Sequence, residues 1–191
     1  MPAKIISFIN FKGGVGKTSN TVNIAGELAL RGHRVLVIDM DPQANASVWL
    51  MDENSFFNMC NDKSKKTLLH LFLTGKSKFD IRHAIIPRVC SKNNVELNNL
   101  DLLSSDYRMI TLDLQLNNDL MYRLKHNLFA YNTKDKQLIN EYEFILIDCA
   151  PCFSQLTRSA LIASHFYIIP TIPNFLSRVG INLLEFSKNK F

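Results

Sequence analysis

The segment Gly13-Gly14-Val15-Gly16-Lys17-Thr18 constrains this chain more than any other. It follows an almost unbroken apolar run, Ile5-Ile6-Ser7-Phe8-Ile9, which reads as a strand buried on both faces. It leads into Val22, Ala25, Leu28 and Ala29 at helical spacing, with Gly32 where a C-terminal cap belongs. Strand, glycine loop and helix in that order make a cradle for phosphate. The glycines let backbone N–H groups turn inward, and the helix N-terminus adds partial positive charge. In such a loop Lys17 reaches the β- and γ-phosphates of a nucleotide, the Thr18 hydroxyl ligates Mg²⁺, and Ser19 donates to the α-phosphate. The usual spacing would put glycine at position 11, where this chain has Phe11. A turn that merely joins strand to helix would not need the Gly-Lys-Thr ending.

Further apolar runs recur along the chain. Val35-Leu36-Val37-Ile38 ends at Asp39, Phe144-Ile145-Leu146-Ile147 at Asp148, and Phe166-Tyr167-Ile168-Ile169 at Pro170; Leu100-Asp101-Leu102-Leu103 is a weaker strand. Short apolar strands alternating with helical segments predict an α/β fold: three layers, α/β/α, around a mainly parallel sheet, as one domain over residues 1–191. With 47% hydrophobic and 20% charged residues, disorder and fibrous repeats are excluded. No apolar run reaches the roughly 20 residues that span a bilayer. The N-terminus reads as a first strand rather than a signal peptide. Four cysteines make no disulfide framework, which points to the cytosol. Between Trp49 and Lys92 the pattern is less regular, with a short helix over Thr67–Thr74 stopped by Gly75 and a break at Pro87. Residues 105–130 read as one or two helices lying on the surface. Gly180 to Phe186 begins an amphipathic helix, and a doubly wound domain would continue past Phe191, so a C-terminally shortened chain is the expectation.

Three aspartates stand at strand ends. Asp148, closing an apolar strand beside a phosphate loop, suits a metal role better than a simple strand terminus. Asp39 and Asp41, before Pro42, suit either a turn or a functional role. Cys149 and Cys152 form a C-x-x-C pair, but no second pair completes a zinc site, so a structural role is expected. The histidines lack ligand spacing. Trp49, between Val48 and Leu50, is expected to pack rather than stack on a base, and Lys63, Lys65 and Lys66 to form a solvated loop. A net charge of +5 is compatible with nucleic acid phosphates and also common without them.

Taken together, Lys12-Gly13-Gly14-Val15-Gly16-Lys17-Thr18 resembles the deviant Walker A motif of the ParA/MinD family of P-loop ATPases. Asp39-Met40-Asp41-Pro42-Gln43-Ala44-Asn45 is similar to the family's D-x-D-P-Q-x-N segment, and Ile147-Asp148-Cys149-Ala150-Pro151 to its Walker B strand end. Leu156-Thr157-Arg158-Ser159-Ala160-Leu161 resembles its L-T-x-N-A-L helix start. The DPQ variant points to ParA-type partition proteins more than to MinD. The resemblance implies a catalytic Lys12 that crosses an ATP-sandwiched homodimer to the partner's phosphates, and an Asp41 that positions the attacking water. It also implies Mg²⁺ held by Thr18 with Asp39 and Asp148, phosphates cradled by Gly13 through Ser19, non-specific DNA binding, and stimulation by a ParB-like centromere-binding protein. The implied place is the bacterial cytoplasm, at the nucleoid, with no membrane partner. Ala150, Ser159, His165 and Asn20 depart from the family pattern without removing a phosphate or metal group.

Three other readings compete. A MinD-like membrane-cycling ATPase needs a C-terminal amphipathic helix, for which Phe186 to Phe191 is too short. A shortened, non-catalytic remnant would carry the motifs without turnover. A metal-cluster carrier would need paired cysteines that Cys60 and Cys90 do not supply.

Overall fold

The computed structural model describes residues 2–63, 65–73, 79–89, 97–114, 121–129 and 137–173. Among these residues six strands form one sheet: β1 (Lys4–Phe8), β2 (Val35–Asp39), β3 (Ile85–Ile86), β4 (Leu100–Leu103), β5 (Phe144–Asp148) and β6 (Phe166–Ile168). Their order is β3-β4-β2-β5-β1-β6, parallel throughout except for the antiparallel β3.

Alternation along the strands sends side chains to two cores, and this makes the three layers. On one face Phe8, Val35, Val37, Leu100, Leu102 and Leu146 meet helix α1 (Lys17–Leu30) through Ala25 and Ala29, and helix α2 (Asn45–Leu50) through Ala46 and Leu50. On the other face Ile5, Leu36, Ile38, Ile145 and Ile147 meet α4 (Leu68–Leu73), α5 (Arg123–Phe129) and α6 (Gln155–Ala163). Helix α3 (Glu53–Asn61) lies apart, over a small cluster of Ala44, Phe56, Met59 and Cys60. Every residue of β2 is buried, as the continuous run Val35–Asp39 requires of a strand covered on both sides.

Helix α1 turns small residues to the sheet: Thr21, Ala25 and Ala29, four apart, are its buried face with Lys17. It ends at Gly32, whose φ of 90° is the left-handed conformation that turns the next N–H, that of His33, back to the Leu28 carbonyl at 3.1 Å.

Some expectations need revision. The expected strand at Phe166 is β6, at the edge of the sheet among the described residues, and its Phe166, Tyr167 and Ile168 are all exposed. Residues 105–130 do not simply lie on the surface. A 3-10 helix over Tyr107–Leu114 and helix α5 send Met109, Leu112, Leu124 and Leu128 into the core. His165, at a position where the family pattern has aspartate, serves the backbone: its Nδ1 accepts the Ile5 N–H at 3.1 Å while its own N–H donates to the Ile5 carbonyl at 2.9 Å. The expected stop at Gly75 and the helix from Gly180 fall outside the described residues.

Candidate phosphate and metal site

Parallel pairing in register brings the carboxyl ends of three strands together. Phe8 of β1 and Asp39 of β2 both pair with Asp148 of β5. The glycine loop leaves β1 at this edge. Gly14 and Gly16 have φ of 71° and 90°, conformations that a residue with a Cβ adopts only under strain. A Cβ at Gly13 or Gly14 would meet nothing within 4 Å, so the mouth of the loop is open. The loop is anchored at its start by Asn10, which is fully buried. Asn10 accepts the Lys12 N–H at 2.9 Å and donates to the Pro170 carbonyl, also at 2.9 Å. Val15 is buried, while Ser19 and Lys12 are half-buried.

Lys17 opens α1 with its stem buried, and its Nζ donates to the Lys12 carbonyl at 3.1 Å. Burial lowers its pKa, against the pull of Asp148 and Asp41. The Thr18 hydroxyl donates to Asp148 Oδ2 at 2.7 Å. Thr21, one turn further, donates to the Lys17 carbonyl at 2.9 Å and lies 3.5 Å from Asp148 Oδ1. Asp148 is buried, and burial is the main cause that raises its pKa; Thr18 works against it.

Asp39 is also fully buried, and burial together with the Asp148 charge raises its pKa. Its oxygens accept from the turn that follows it and from α2: the Asp41 N–H at 3.1 Å, the Ser47 N–H at 2.8 Å and the Ser47 hydroxyl at 2.7 Å. Of the two roles open to Asp39, ordering the turn is the one these bonds serve. Asp41 is held in turn. It accepts the Gln43 N–H at 2.9 Å, and its carbonyl accepts the Ser105 hydroxyl at 2.7 Å. Burial raises its carboxyl pKa and Lys17 lowers it.

A cavity of about 250 Å³ joins these groups, with Gly13, Lys17, Thr18, Ser19 and Asp41 among its walls. Trp49 also lines it and is 41% exposed, so it does not pack as expected. The sequence reading missed Asn10, Ser47 and Ser105. All three act through folds of the chain that spacing does not reveal. Among the described residues no group of three or more His, Cys, Asp or Glu is placed to hold a metal by itself. The donor set nevertheless fits Mg²⁺, which keeps several waters and takes few protein oxygens beside substrate phosphates. Cys149 is buried and Cys152 exposed, and both are free thiols.

The profile of the AAA domain family matches residues 3–189. Cell division protein PomZ of Myxococcus xanthus is 33% identical over 177 residues, covering 93% of this chain and 49% of PomZ. Chromosome partitioning protein ParA of Caulobacter vibrioides is 30% identical over 185 residues, covering 96% of this chain and 61% of that protein. The chain belongs to the ParA/MinD family of P-loop ATPases. A plasmid partition protein from Borrelia burgdorferi has the same fold, with a TM-score of 0.76 at 27% identity over 98% of this chain and 74% of its own. The chain therefore spans about half to three fifths of the length of these curated ParA/MinD relatives. Among the described residues, no helix of this family member is long and apolar enough to cross a membrane.

Proposed function

We propose that the chain is the nucleotide-binding part of a ParA-like ATPase that binds ATP with Mg²⁺ and closes as a homodimer around two nucleotides. In that state it holds DNA non-specifically, at the nucleoid, and a ParB-like centromere-binding protein stimulates hydrolysis, so that plasmid or chromosome copies are partitioned. The observation that carries this reading is the open glycine loop whose Thr18 hydroxyl meets Asp148 beside the ammonium-bearing Lys17.

In this reading Gly13, Gly14, Val15 and Gly16 supply backbone N–H groups to the phosphates. Lys17 exchanges its bond to the Lys12 carbonyl for the β- and γ-phosphate oxygens, and Ser19 donates to the α-phosphate. Thr18, with Asp148 and Asp39 on its waters, would hold Mg²⁺, and Asp39 also orders the loop. When bound, the ion neutralises charge that develops on the transferring phosphoryl group. Asp41 orients the attacking water; its burial favours uptake of a proton relative to an exposed aspartate. Lys12 acts across the dimer on the partner's nucleotide, in the manner of an arginine finger.

Anisotropy of a labelled ATP analogue, titrated with Mg²⁺ present, tests the site. Saturable binding by the chain, lost in Lys17→Ala, is the expected result; no binding by either protein overturns it. Lys12→Ala is expected to keep analogue affinity within about twofold while stimulated turnover falls roughly a thousandfold, the lower range for arginine-finger loss. Unchanged turnover would remove the sandwich mechanism.

A further inference from the structure

A second cavity, of about 510 Å³, lies at the opposite end of the sheet, between α3 and β3. Three strands separate β3 from the strand that carries the glycine loop. The cavity has two unlike parts. Its floor is apolar: Met51, Met59, Ile85 and Ile86. Met59 belongs to the small cluster under α3, against which Met51 and Ile86 pack. Methionine is flexible and polarisable, so such a floor adapts to an inserted side chain. Its rim carries two lysines and a histidine against one acid: Lys65, Lys66, His83 and Asp62 are all exposed, so the balance is positive. Among the described residues neither lysine forms an ion pair.

The chemistry of the occupant follows from these parts. A nucleic acid would need stacking platforms or a run of phosphate contacts, and among the described residues no aromatic side chain lines the cavity. A second copy meeting the same face by two-fold symmetry would set Lys65 and Lys66 against themselves. Strand addition is also disfavoured. Strand β3 has two residues and is followed by Pro87, the features that protect an edge from pairing. What remains complementary is an aliphatic side chain for the floor and carboxylates for the rim.

We propose that this groove docks an acidic segment of a partner polypeptide, with a leucine-like anchor on Met59, Ile85 and Ile86 and carboxylates facing Lys65, Lys66 and His83. The groove contains no residue of the phosphate site, so the proposal stands or falls independently of nucleotide binding.

The test is fluorescence anisotropy of the full chain with a panel of fluorescein-labelled peptides, in which one or two leucines are moved along a Glu/Asp background. Saturable binding by a panel member is expected, weakened at least about tenfold by Lys65→Glu with Lys66→Glu, and equally by Asn58→Trp, which fills the groove from α3. Replacing the peptide's acids by glutamine, or its leucines by serine, is expected to weaken binding as much; these arms leave the protein unaltered and so do not depend on the variants folding. The proposal is overturned if no peptide saturates, or if binding ignores both the variants and the peptide changes. It is also overturned if labelled oligo-dT binds and is lost in the lysine variant, since the rim would then be a phosphate contact.

Discussion

Asp106 has no exposed surface and yet is held as an anion. The Thr67 hydroxyl donates to it at 2.9 Å, and Arg108 donates through Nε at 2.8 Å and Nη2 at 2.6 Å. Burial alone would raise its pKa; the hydrogen bonds from Arg108 and Thr67 outweigh it and leave the group below the ordinary range. A depressed carboxyl contributes stability that is present above the unfolded-state pKa, about 4, and is lost as pH falls through the folded value. Acid unfolding followed by urea titration is therefore expected to show a stability decline below about pH 4 that is shallower in Asp106→Asn, and the same variant is expected to lose about 2 kcal/mol at neutral pH. An unchanged acid limb would assign that decline to other carboxylates. The residues proposed to bind phosphate are legible at this scale because their spacing is local: Gly13 to Ser19 lie within one loop and one helical turn. Asn10 was not, since its partner Pro170 is 160 residues away. Trp49 was misjudged for a related reason. Apolar neighbours in sequence say nothing about a helix such as α2, whose other faces point to a cavity.

Elements announce themselves when burial leaves one pattern possible. The runs that became β1, β2 and β5 are covered on both faces and could be read directly. Helix α3 could not, because its apolar content is a small cluster rather than a stripe on the main core. Its start does carry a signal, Asp52, whose carboxylate accepts the Ser55 N–H at 2.9 Å. Strand β3, with two residues, is too short to show a period. Helix α6 uses the same device as α3: the Ser154 hydroxyl accepts the Thr157 N–H at 3.1 Å. Ser154→Ala is expected to cost about 1 kcal/mol, seen as a lower urea midpoint with an unchanged slope. A changed slope would mean that α6 shapes the unfolded state as well. The cap also fixes where α6 begins after Asp148 and Pro151, so a frayed first turn would be felt beside the Asp148 carboxylate.

At the scale of the whole molecule the sheet order has a consequence in time. Strand β1 is near the start of the chain, yet its two hydrogen-bonded neighbours are β5 and β6, near residues 144 and 166. On a ribosome adding about 5–20 residues per second, β1 waits on the order of ten seconds before either partner exists. Through that interval Ile5, Phe8 and Ile9, all buried in the finished protein, have no place to go. Nascent chains arrested before Phe144 are expected to be cut readily by protease near the glycine loop, and chains arrested with β6 clear of the exit tunnel to resist; early protection would show that β1 finds a temporary partner. The glycine loop is thus encoded long before the strands that seat it, and a half-made copy of this protein has the loop without the sheet that shapes it.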